Sequence, residues 1–167
     1  MASKVSRKKV MEWASDVVQT TNATVRNGRI DLGLRDGQLA EIHQIDSYMN
    51  ISNIPDAAND DVYCSKIVSM DPDYASDPEL AENIEDLETI TTHRIHIQQE
   101  VGAAGTAALR NHDSKIQYFD PPILVGTDIA QAVKGDDAIA CSFETRVFFT
   151  RRKATDAELG QVLLKRR

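Results

Sequence analysis

The chain has 167 residues, of which 41% are hydrophobic, 27% charged and 5% aromatic. That suits one domain with a core of Ile, Leu, Val and Ala, and no segment approaches the run of about 20 apolar residues that a membrane-spanning helix needs. The formal net charge of −7 is uneven: Met1–Ile30 and Arg151–Arg167 each carry four excess positive charges, whereas Asp31–Thr92 carries thirteen excess negative ones. Basic ends around an acidic middle point to a charged partner, either nucleic acid or the acidic surface of a neighbouring copy.

Residues 1–9 read as a basic N-terminal arm, and residues 10–167 as a single domain. No apolar run follows the early charges, so no secretory signal is expected. In Val10–Val25 a helical stripe (Val10, Trp13, Ala14, Val17, Val18) competes with a Thr-rich tail that favours extended chain, and a strand is expected. Asn27-Gly28 predicts a turn. Ile30, Leu32 and Leu34 then alternate with polar residues, Asp36-Gly37 predicts a second turn, and a strand runs from Leu39 towards Ile51. Arg29–Ile45 therefore reads as a hairpin or near-hairpin. A polar loop (52–61) leads to a strand at Val62–Met70 and a loop at Asp71–Asp77. Asp77 can cap a helix with Pro78 in its first turn, and Leu80, Ile84 and Leu87 give that acidic helix one apolar stripe.

Ile90–Val101 returns to strand. Gly102–Gly105 breaks it, Thr106–Leu109 and Lys115–Phe119 are short strands, and Asp120-Pro121-Pro122 is expected to stop the run. Ile123–Val125 is another strand, and Thr127–Val133 fits either a helical turn or extended chain. Asp136–Arg152 carries the clearest signal. Ile139, Cys141, Phe143, Val147 and Phe149 share one parity and Ala140, Ser142, Glu144, Arg146 and Thr150 the other, as in a long strand with one buried face. Thr155-Asp156-Ala157-Glu158 is a capping box that opens a short C-terminal helix with Leu159, Val162 and Leu163 on its apolar side.

Signals for chemistry are sparse. There is no G-x-S-x-G, P-loop or G-x-G-x-x-G, so neither a catalytic nor a cofactor site is expected. His93, His96 and Glu100 invite comparison with cupin barrels, but the histidine spacing differs from the cupin pattern and no metal site is assigned. Cys64 and Cys141 lie far apart in sequence and read as buried free thiols, with the question of whether they meet left open. Asp60-Asp61 and Asp136-Asp137 read as solvated turn acids, with a divalent ion held between subunits as the alternative. The basic clusters remain: Arg7, Lys8 and Lys9; Arg151, Arg152 and Lys153; Lys165, Arg166 and Arg167. They are candidate contacts to nucleic acid, electrostatic and non-specific, or to neighbouring subunits.

Many short strands with turn signals about every ten residues predict an all-β, jelly-roll-like antiparallel sandwich, with one inserted acidic helix and the short C-terminal helix. The stretches RIDLGLRDGQLAEIHQI and ETRVFFTRRKATDAELGQVLL, with the basic ends, resemble the small single jelly-roll capsid proteins of some archaeal and marine bacterial viruses. The resemblance implies a self-assembling, non-enzymatic virion subunit whose edges and loops face other copies and whose basic arm lies towards the genome or an adjacent subunit. The alternatives are a ligand- or carbohydrate-binding sandwich, which needs an exposed aromatic platform, and a cupin-like metal enzyme; the alternative to a virion location is the cytoplasm.

Overall fold

Alternation between core and solvent residues recurs along most of the chain, and the computed structural model turns it into strands. It describes residues 10–21, 24–53, 61–75, 78, 88–98, 112–135, 140–158 and 160. The strands are β1 (Glu12–Thr21), β2 (Arg26–Ile30), β3 (Gln38–Asn53), β4 (Asp61–Ser69), β5 (Thr89–Gln98), β6 (His112–Val125), β7 (Ile129–Gly135) and β8 (Ala140–Lys153). β1 pairs with β8, β2 with β7, β3 with β6 and β4 with β5, all antiparallel. The first half of the chain thus lies against the second as one long ribbon. Pairings of β3 with β8 and β4 with β7 roll the ribbon into two sheets, ordered β1-β8-β3-β6 and β2-β7-β4-β5. This is the expected jelly-roll sandwich.

Several local expectations are overturned. Asn27-Gly28 lies inside β2 and makes no turn. Glycine is required there for space: a Cβ on Gly28 would stand 1.9 Å from Asp16 Oδ2 and 2.4 Å from Val18 Cγ2. Arg29–Ile45 is not a hairpin, because β2 and β3 belong to different sheets and residues 31–37 carry the chain across. The turn at Asp36-Gly37 does form, with Gly37 at φ 74°. Asp120-Pro121-Pro122 does not stop its strand either. β6 is an edge strand, and the prolines fall in an irregular stretch between the pairs Gln44↔Tyr118 and Ile42↔Ile123, where ladder donors are not needed. Thr127–Val133 resolves to extended chain in β7.

The capping box forms as read. Glu158 N donates to Thr155 Oγ1 at 3.4 Å, Thr155 N donates to Glu158 Oε2 at 2.9 Å, and helix begins at Asp156. The acidic helix expected over 78–88 falls, apart from its two end residues, outside the described residues, as do the arm, the 106–109 strand and most of the C-terminal helix.

Between the sheets lie two apolar clusters. One gathers Ile42, Ile45, Val125, Ile129, Val147 and Phe149, among others. The smaller holds Val18, Met49, Ile51, Cys64, Val133, Cys141 and Phe143. A polar belt separates them. The ladders align Asp16 (β1), Thr145 (β8), Ser47 (β3) and Lys115 (β6) across one sheet, and Lys66 (β4) beside His93 (β5) in the other. Gln131 (β7) completes it, and Gly28 opposite Gln131 leaves room for Asp16. Asp16 Oδ2 accepts from Gln131 Nε2 at 2.9 Å, Gln131 Oε1 accepts from Thr145 Oγ1 at 2.6 Å, and Thr145 Oγ1 accepts from Lys66 Nζ at 2.8 Å. Such a chain inside a sandwich fixes register, because a slip of one residue would strand every one of these groups.

Candidate functional site

The two sheets differ in what covers their outer faces. On β2-β7-β4-β5, Ile67, Ala130 and Ala132 are buried with Tyr74 from the loop after β4. No such cluster covers β1-β8-β3-β6 among the described residues. The ladders arrange that bare face in rows: Trp13, Phe148, Gln44 and Tyr118; then Ser15, Arg146, Asp46 and Ile116; then Val17, Glu144, Tyr48 and Ser114. The apolar bulk stands on the two edge strands. Trp13 and Val17 of β1 are 65% and 55% exposed, and Ile116 and Tyr118 of β6 are 50% and 68% exposed. The middle strands are more polar. Arg146 Nε donates to Glu144 Oε1 at 2.6 Å, and its guanidinium lies 5.2 Å from the centre of the Tyr48 ring, a cation–π contact. Trp13, Ser15, Glu144, Arg146 and Phe148 line an open depression of about 370 Å³.

Soluble proteins usually protect sheet edges with charge, proline or cover, and large apolar groups on an edge mark a surface that meets something. Here the proline device is present at one end of β6 only, while the exposed aromatic and aliphatic groups occupy the regular parts of both edges. Parity reading could have placed Phe148 on the outer face, since it shares the parity of Arg146. Trp13 could not be placed even in the expected strand, because apolar residues fall on both parities there: Trp13 and Val17 on one, Ala14 and Val18 on the other.

The basic candidates divide. Arg151 Nε donates to Glu12 Oε1 at 2.9 Å and its Nη1 to the Gly33 carbonyl at 2.8 Å. Hydrogen bonding to Arg151 lowers the Glu12 pKa below the usual carboxylate value. Arg152 Nε donates to Glu41 Oε1 at 2.7 Å, while its Nη1 and Nη2 form a two-pronged pair with Glu158 at 2.9 and 2.6 Å. That pair, with the Thr155 hydrogen bonds, brings the Glu158 carboxyl down to about 2. Arg151 therefore ties β8 to β1, and Arg152 ties β8 to β3 and the terminal helix. Lys153 closes β8 and is exposed. Arg7, Lys8, Lys9, Lys165, Arg166 and Arg167 lie outside the described residues.

Of the cupin-like trio, His93 is placed in the belt, its Nε2 3.0 Å from Asp113 Oδ2. Burial lowers its pKa, against the opposing pull of Asp113. The His96 side chain and Glu100 lie outside the described residues, and no group of three or more His, Cys, Asp or Glu side chains gathers among those that are described. The residue sequence reading missed is Lys66, which is fully buried. Its parity with Cys64 and Val68 was the available signal. Burial, helped by the charge of Lys115, pushes its ammonium pKa down to about 7. Among the described residues no helix is long and apolar enough to cross a membrane. No protein-family model and no curated protein matches the chain.

Proposed function

We propose that the chain is a self-assembling structural protein, a subunit of a virion or comparable shell, whose copies meet at the edges of the β1-β8-β3-β6 sheet. The observation that carries this reading is the exposed apolar bulk on both edge strands of one sheet face, when the other face is covered by the chain's own loop. An edge bearing Trp13 and Val17 set against a neighbour's edge bearing Ile116 and Tyr118 is a head-to-tail contact. Contacts of that type repeat from copy to copy and close into rings or shells when the rotation allows. Burying such side chains contributes up to about 1.5–3 kcal/mol each, set against the entropy cost of association. The basic ends then meet the genome or adjacent subunits, and the reading requires no catalysis.

Light scattering across a concentration series, with Trp13 fluorescence followed in parallel, tests it. Trp13 is the only tryptophan, so its emission reports this edge directly. Multimers whose formation shifts the emission to shorter wavelength support the proposal. A strict monomer with solvent-exposed tryptophan emission at every concentration overturns it.

A second reading rests on the depression beside Trp13. An exposed indole next to Phe148, flanked by Ser15, Glu144 and Arg146, has the makings of a carbohydrate platform, with a flat apolar ring and adjacent hydrogen-bonding groups. A saturable change in Trp13 emission on adding oligosaccharides to the monomer would favour it.

A further inference from the structure

We propose that Cys64 and Cys141 form a disulfide that joins the two sheets of the sandwich. Cys64 lies on β4 of one sheet and Cys141 on β8 of the other. Their Sγ atoms are 2.7 Å apart. Unbonded carbon atoms rest at about 3.5–4.0 Å and sulfur is the larger atom, so the two side chains already point at one another across the core. β-sandwiches accommodate such inter-sheet bridges, as immunoglobulin domains do.

The position has a physical use. Both residues belong to the smaller apolar cluster, on the far side of the polar belt from Phe149. That end of the sandwich has less apolar surface holding its sheets together. The bridge would close a loop with a sequence separation of 77, long enough to restrict the unfolded chain strongly.

Both thiols are fully buried, at 0% and 2% exposure, so the reaction proceeds while the chain folds or when this end of the sandwich opens. With a small disulfide such as oxidised glutathione as oxidant, one cysteine thiolate attacks a glutathione sulfur and expels one glutathione thiolate. The second cysteine thiolate then attacks the mixed disulfide at the protein sulfur and expels the other. The two cysteines lose two electrons and two protons in all, and one oxidised glutathione becomes two reduced molecules. A protein made in a reducing compartment would stay as the dithiol and lock on reaching an oxidising one.

The test uses the full chain. It is refolded with reduced or with oxidised glutathione, then denatured, alkylated and weighed by mass spectrometry. The expected result is two alkylated cysteines in the reduced sample. The oxidised sample should show none, with a monomer mass two hydrogens below that of the unalkylated dithiol chain and a melting temperature raised by on the order of 10 °C. Two alkylated cysteines after oxidation, a lasting glutathione adduct on one cysteine, or a bridge between copies would each overturn the proposal. Cys64→Ser and Cys141→Ser should each abolish the bridge, but the wild-type masses decide the matter even if neither variant folds.

Discussion

Replacing Lys66 with methionine should stabilise the protein at neutral and acidic pH and remove most of its alkaline pH dependence. Burial lowers the Lys66 pKa from 10.5 to about 7. Below pH 7 the amine is protonated in both folded and unfolded chains, and the folded state bears the whole cost of holding the charge in the core. Between pH 7 and 10.5 the folded chain releases its proton and the unfolded chain keeps it, so stability rises with pH. A slope of up to about 1.4 kcal/mol per pH unit across that window gives about 5 kcal/mol. Methionine keeps a long unbranched side chain and loses the Nζ donation to Thr145, worth about 1 kcal/mol, while Thr145 still donates to Gln131. The net expectation for Lys66→Met is a gain of about 4 kcal/mol at pH 6 that shrinks to near zero by pH 10. Urea unfolding of wild type and variant, at unit pH steps from 6 to 10, measures it, and the difference curve cancels every titration the two share. Parallel curves, or an advantage of the variant that grows between pH 7 and 10, would refute the reasoning.

Other substitutions test other parts. Gly28→Ala must displace Asp16, whose carboxylate also holds Gln131; a loss of about 3 kcal/mol in chemical denaturation is expected. Phe143→Ala, deep in the smaller apolar cluster, should cost about 3–5 kcal/mol by the same measurement. In wild type the Glu158 carboxylate holds the helix cap and Arg152. That contribution is complete above the ordinary carboxylate range and lost as pH falls through about 2. Glu158→Gln should lack it at every pH, seen as faster proteolytic clipping of the C-terminal segment at neutral pH.

The sandwich was legible because period-two alternation survives in β3, β5 and β8, where one face packs against the other sheet. What sequence could not supply was pairing, since the partners β1 and β8 are joined only through the whole intervening chain. Turn signals failed where tertiary demands outweighed local ones. Gly28 is a glycine because Asp16 occupies the space of its side chain, and Pro121-Pro122 is tolerated because β6 pairs on one side only among the described residues. Arg151 and Arg152 were legible as charges, but their carboxylates, Glu12 and Glu41, lie more than a hundred residues away in sequence. The apolar edges were hidden for a related reason: an exposed tyrosine such as Tyr118 reads like a core residue until the face it occupies is known.

Those internal ion pairs also change what salt should do to assembly. The basic ends and acidic middle lead one to expect contacts that salt screens, with association weakening as ionic strength rises. Arg151 and Arg152, however, already answer Glu12, Glu41 and Glu158 within one chain. The edges proposed to meet carry Trp13, Val17, Ile116 and Tyr118. Contacts between such groups do not weaken with screening, and excluded salts such as sulfate strengthen them. If the edges dominate, the association constant should hold or rise from 50 to 500 mM sodium chloride (on the order of one Debye length shrinking threefold) and rise further in sulfate. Trp13→Ala, truncating an exposed side chain, should leave the monomer's stability within about 0.5 kcal/mol and weaken association at least tenfold. Sedimentation velocity reads the association, and urea unfolding the stability. Association that collapses with salt and ignores Trp13→Ala would move the interface from the sheet edges to the charged ends.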